Sequence, residues 1–107
     1  MAQVPDKITK LIEVFIHELE LNKIHINKAI LFGSYANGTF NELSDIDLAL
    51  VSESFKGLNH WQRIEKMTDA LYRLFQPIEP RALTPEEWDS GDSMTALYAK
   101  TSTLISV

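Results

Sequence analysis

The sequence predicts an α/β (α+β) fold, a small mixed β-sheet flanked by helices, in a single domain spanning residues 1–107. Three observations predict it. Two stretches carry apolar residues at helical period, the segment between them holds two strand-like apolar runs, and short helical and strand signals follow.

The first helix is expected from about Pro5 to Leu21. Ile8, Leu11, Ile12, Phe15, Ile16 and Leu19 form its stripe, and Pro5 suits the first turn, where a missing N–H costs little. From Lys28 to Phe32 the chain turns apolar without alternating, as in a strand buried on both faces. Gly33 to Gly38 should form a tight turn running into a short helix. Asp45 to Val51 alternates, with Ile46, Leu48 and Leu50 on one face and Asp45, Asp47, Ala49 and Val51 on the other. A second long helix is expected from Asn59 to Phe75, with Trp61, Ile64, Met67, Leu71, Leu74 and Phe75 inward. Asn59 is its N-cap and Gln62 the reciprocal partner of a capping box. Pro77 to Leu83 reads as a short strand, and Pro80 assigns it to a sheet edge. Thr84-Pro85-Glu86-Glu87-Trp88 has the cap, proline and acid of a helix start. The tail from Ala99 to Val107 is β-rich in composition.

Composition narrows the function. Hydrophobic residues make up 45% of the chain, enough for one core and too many for a disordered segment. A net charge of −5 argues against direct nucleic-acid binding, which calls for a basic face, but is compatible with a nucleotide held through metal ions. No cysteine is present, so disulfides and thiolate metal sites are excluded. The first residues lack the regions of a signal peptide, and no apolar run approaches a membrane span. The expectation is a cytoplasmic domain with no membrane contact.

The chemistry concentrates between Gly33 and Asp47. Glycine after a strand lets a phosphate approach the backbone, and Ser34 adds a hydroxyl donor. On a strand, Asp45 and Asp47 would have Cα atoms about 6.6 Å apart on one face, so their carboxylates could meet at one or two cations. Hard oxygen donors suit Mg²⁺, which shares its shell with substrate phosphates. Taken singly, Gly-Ser is an ordinary turn and Asp-x-Asp an ordinary wet strand face. Two acids at the mouth of a strand that turns fully apolar suggest a site.

Gly33-Ser34, ten intervening residues and Asp45-Ile46-Asp47 together resemble the signature of the DNA polymerase β-like nucleotidyltransferase superfamily. The nearest likeness is to the minimal nucleotidyltransferase (MNT) group, and the order of elements extends it over nearly the whole chain. The resemblance implies the polymerase β-like palm fold. It also implies a third acid on a later strand, for which Glu79 is the candidate, holding metal and accepting the proton of the attacking hydroxyl. Asp45, Asp47 and Glu79 would be the catalytic and metal-binding residues, and Gly33 and Ser34 would seat the β- and γ-phosphates. Two departures stand out: Glu79 occupies a place where many relatives carry Asp, and Asn37 one where they often place Arg.

The implied reaction is attack of a hydroxyl on the α-phosphate of ATP with Mg²⁺, two ions by the resemblance, as cofactor. The implied acceptor is a tyrosine of a HEPN-domain toxin, with this chain as the antitoxin of a type VII toxin–antitoxin pair and homo- or hetero-oligomers open. The alternative is a non-catalytic binding module that neutralises or scaffolds a HEPN partner by contact. His17, His25 and His60 show no ligand spacing and read as surface or packing residues. Lys7, Lys10, Lys23 and Lys28 read as a solvated face, Glu86 and Glu87 as a helix start, and Trp61 and Trp88 as core or interface anchors.

Overall fold

The computed structural model describes residues 5–41, 44–74, 77–90 and 103–105. Along the chain these form α1 (Asp6–Leu21), β1 (Lys28–Phe32), α2 (Ser34–Asn37), β2 (Ile46–Val51), a 3-10 turn (Glu53–Phe55), α3 (His60–Leu74), β3 (Ile78–Leu83), α4 (Pro85–Ser90) and β4 (Thr103–Ile105). The expected inward position of Phe75 and most of the tail from Ala99 lie outside the described residues.

The strands order as β3-β2-β1-β4 in one mixed sheet. β1 runs antiparallel to β2 and to β4, while β2 and β3 are parallel and joined through α3. A parallel pair needs such a crossover, because a tight hairpin cannot return the chain in the same direction. β3 lies at the edge, where Pro80 costs the least for its missing N–H.

One sheet face is covered by α1 and α3. Ile8, Ile12, Phe15, Ile16 and Leu19 of α1 and Met67 and Ala70 of α3 pack against Ala29, Leu31, Ile46, Leu48, Leu50 and Ile78. Ile30, Phe32, Ala49, Val51 and Leu83 form a second cluster on the other face, with Trp88 of α4 against it. The alternation expected for β2 holds: Leu48 and Leu50 join one cluster, Ala49 and Val51 the other. Phe55, fully buried, enters the first cluster from the 3-10 turn, an element with no periodic signal in the sequence.

Trp61 departs from expectation. It is 75% exposed. Two successive steps of three residues, from 61 to 64 to 67, each fall about 60° short of a full turn at 3.6 residues per turn, so Trp61 stands about 120° from buried Met67. Eleven residues after Trp61, three turns on, Tyr72 is exposed on the same side.

Both capping boxes form. Asn59 Oδ1 accepts from Gln62 N and Gln62 Oε1 from Asn59 N, each at 2.9 Å. Thr84 Oγ1 accepts from Glu87 N at 3.2 Å and Glu87 Oε1 from Thr84 N at 2.8 Å. Glu87 also takes Arg63 Nη1 at 2.7 Å, and the same guanidinium donates to the Leu58 and Ala82 carbonyls, binding α3, β3 and α4 together.

At the end of α1, Ile24 N donates to the Leu19 carbonyl and Lys23 N to that of Glu20, both at 2.9 Å. This is a Schellman closure, with Leu19 and Ile24 both fully buried. Its left-handed position is held by Lys23 at φ 65°.

Candidate functional site

Asp47, the second residue of β2, lies between Phe32 of β1 and Glu79 of β3 in the strand register. Because β2 and β3 are parallel and in register, the two acids stand side by side on one sheet face, at about the 4.8 Å spacing of neighbouring strands. Their strand ends are tied together where Ile46 N donates to the Pro77 carbonyl at 2.7 Å. Glu79, named from sequence as the third acid, therefore stands beside Asp47. Arg81, two residues further on the same face, places Nη2 3.5 Å from Glu79 Oε1.

Asp45 differs from its expected place. The strand begins at Ile46, leaving Asp45 exposed just before it. A reciprocal turn precedes it, with Asn41 N donating to Ser44 Oγ at 2.8 Å and Ser44 N to the Asn41 carbonyl at 3.1 Å. Asp45 remains close enough for its charge to act on Asp47.

Burial raises the Asp47 carboxyl to about 6, helped by a hydrogen bond to Glu79 and by the charges of Glu79 and Asp45. Arg81 pulls it the other way. Two carboxyl groups can hydrogen-bond each other only by sharing a proton. The cluster thus has negative charge in excess of its local compensation, the condition a cation relieves.

Gly33 explains how Asp47 fits. Its φ of 74° and ψ of −150° lie in a region that residues with a Cβ rarely enter. A Cβ there would also run into the Asp47 carboxylate, standing 3.0 Å from its Cγ and closer still to Oδ2. Sequence alone points this glycine at a phosphate; in the fold its bare Cα makes room for a carboxylate. Ser34 follows as the first residue of α2, a single turn. Tyr35 anchors that turn, buried in the main core and stacked on Phe40 at 4.7 Å. The side chain of Asn37 lies outside the described residues.

The donor set suits a hard divalent cation: every ligand is a carboxylate oxygen. Among the described residues, however, no three His, Cys, Asp or Glu side chains converge closely enough to hold a metal ion. Asp47 and Glu79 are adjacent, Asp45 stands outside the strand and Glu79 is engaged by Arg81. A cation shared by all three would call for rotation of their side chains.

Two grooves flank these elements. One, of about 480 Å³, is lined by Lys7, Ile8, Leu11, Tyr35, Ser44, Ile46 and Pro77, next to the carboxylates in sequence. The larger, about 710 Å³, runs beside His17 of α1 and His25 of the loop after it, and none of Asp45, Asp47 and Glu79 lines it. All three histidines are exposed, and His25 pairs with Glu20 at 3.0 Å. Arg81 belongs to no motif that the sequence displays. Its signal was the Glu79-x-Arg81 spacing, which on a strand puts both side chains on one face.

No helix among the described residues is long and apolar enough to cross a membrane. No curated protein matches the chain. In structure it is similar to a candidate nucleotidyltransferase from Sulfolobus solfataricus, with a TM-score of 0.67 and 22% identity over 92% of this chain and 78% of that one. At that identity the likeness shows the fold. Residues 10–84 match the family model described as polymerase beta, nucleotidyltransferase, a stretch that contains Gly33, Asp45, Asp47 and Glu79. The chain belongs to the polymerase β nucleotidyltransferase family.

Proposed function

We propose that this chain transfers a nucleoside monophosphate, AMP from ATP, to a hydroxyl group. The acceptor is a tyrosine of a HEPN-domain toxin, for which the chain acts as antitoxin in a type VII pair. The observation that carries the transferase reading is the in-register pairing of Asp47 with Glu79, with Gly33 against Asp47. The toxin, the tyrosine and the base rest on the sequence resemblance alone.

In this reading the acceptor oxygen attacks the α-phosphorus, the bond to the bridging oxygen breaks and pyrophosphate leaves. Glu79 takes the proton released by the acceptor hydroxyl. Asp45, Asp47 and Glu79 would hold Mg²⁺, which would supply positive charge to the attacking and leaving oxygens. Gly33 and Ser34 seat the β- and γ-phosphates.

The test is incubation with α-³²P-ATP, Mg²⁺ and whatever protein co-purifies from the native host. Label on a tyrosine of the co-purifying protein is expected, and none with an Asp45→Asn, Asp47→Asn double variant that retains its circular dichroism. Equal labelling by parent and double variant would overturn the transferase reading.

One observation favours a second reading, a module that neutralises a HEPN partner by contact. Trp61 and Tyr72 stand 75% and 69% exposed on one side of α3, the helix that covers the sheet face opposite the carboxylates. If the double variant protects cells from the partner as fully as the parent does, contact is the operative function. If protection falls with labelling, catalysis is.

A further inference from the structure

Arg81 places a fixed positive charge where the proposed reaction assigns none. Strand period puts it on the same face of β3 as Glu79, and its Nη2 lies 3.5 Å from Glu79 Oε1. Across the strands, Glu79 is in register with Asp47, whereas Arg81 is in register with Ala49. The row beside Arg81 thus offers a methyl group, and the acids of this face lie one pleat period back, toward Glu79 and Asp47.

A role in holding the fold does not account for the pair. Both side chains are about half exposed, 45% for Arg81 and 50% for Glu79. Exposed ion pairs on this pattern add little to stability. Arg63 offers a contrast within the same chain, 14% exposed and bonded to carbonyls on two sides as well as to Glu87. Arg81 is built like a charge that can let go.

We propose that Arg81 is a tethered counter-cation of the carboxylate cluster, competing with a divalent cation for Glu79 and so setting how tightly this chain holds metal. The proposal rests on the reading of Asp45, Asp47 and Glu79 as metal ligands. A guanidinium and a divalent cation are both drawn to the same oxygens, and occupancy by one raises the electrostatic cost of the other. Arg81 is then a positioning residue: when a cation arrives, the guanidinium withdraws from Glu79 Oε1 and leaves that oxygen to the cation.

Titration with Mn²⁺ alone, following free Mn²⁺ by electron paramagnetic resonance, separates the possibilities. Arg81→Gln is expected to bind Mn²⁺ about three- to tenfold more tightly than the parent. Arg81→Lys, which keeps the charge, should stay nearer the parent, and Asp47→Asn should lose the binding. Melting curves without metal verify that each variant is folded. An Arg81→Gln affinity equal to or weaker than the parent's overturns the proposal, as does loss of ATP binding with Mn²⁺ binding unchanged, which would make Arg81 a phosphate contact. If neither parent nor Arg81→Gln binds Mn²⁺, the metal-ligand reading falls first and takes this one with it. If only Arg81→Gln binds, both stand.

Discussion

At the scale of single residues, Gly33 and Asp47 form one unit, because the backbone of the first is shaped around the carboxylate of the second. Gly33→Ala should therefore act twice. Backbone strain alone costs about 1–3 kcal/mol, and the new methyl group displaces the Asp47 carboxylate. The expected outcome is a lowered denaturation midpoint together with lost metal-dependent nucleotide binding, measured by urea melts and calorimetry. Asp47 also makes stability depend on pH. Its carboxyl titrates near 3.8 as an ordinary aspartate and near 6 in the fold, so the folded chain binds the proton more tightly. Its contribution is present below about pH 4 and is lost as pH rises through about 6. Asp47→Asn should then melt a few degrees above the parent at pH 7 without metal, with the gap closing toward pH 4. Solvent screening of this half-buried group keeps the effect small.

At the scale of elements, helix ends were the most readable features and also reveal where stability can be gained. Asn59-Gln62 and Thr84-Glu87 close as capping boxes because the short side chain at each first position can reach the third N–H of its own helix. Thr84→Ala should cost about 1 kcal/mol, read as a shift in urea midpoint. Lys23 is a different case, since its left-handed backbone carries a Cβ penalty that glycine avoids. Lys23→Gly should raise stability by about 0.5–1 kcal/mol. Other features stayed hidden for a physical reason. A helical period read in steps of three drifts backward, which turned Trp61 inward on paper and outward in the fold. The 3-10 turn that buries Phe55 is too short to show any period.

At the scale of the whole molecule, the order of strands was legible only in part. Pro80 marked an edge correctly, because a missing N–H is a property of one residue. Which strand lies beside which depends on crossovers that no local pattern records. The site follows the same division. Asp45, Asp47, Gly33 and Ser34 are near in sequence and could be read as a group, whereas the register that brings Glu79 beside Asp47 exists only once α3 has carried the chain across. Arg63 belongs to this level too, since it joins three elements that are separate in sequence. Arg63→Met should destabilise the chain by about 2 kcal/mol, because the Leu58 and Ala82 carbonyls lose their Arg63 donor and Glu87 keeps only its Thr84 partner. Thermal melts alongside a Thr84→Ala, Arg63→Met double variant would reveal their coupling through Glu87.

The position of β2 and β3 in the sheet has a consequence in time. Among the described residues, β2 is paired on both sides and β3 on one. Local opening starts at edges and reaches an inner strand only with much larger disruption. Asp47 thus sits on backbone that opens rarely, and Glu79 on backbone that opens often. In hydrogen–deuterium exchange the amides of residues 46–51 should outlast those of residues 78–83, and a bound nucleotide should slow the second group more. One half of the carboxylate pair would then be a fixed reference, and the other the half that ligand brings to rest.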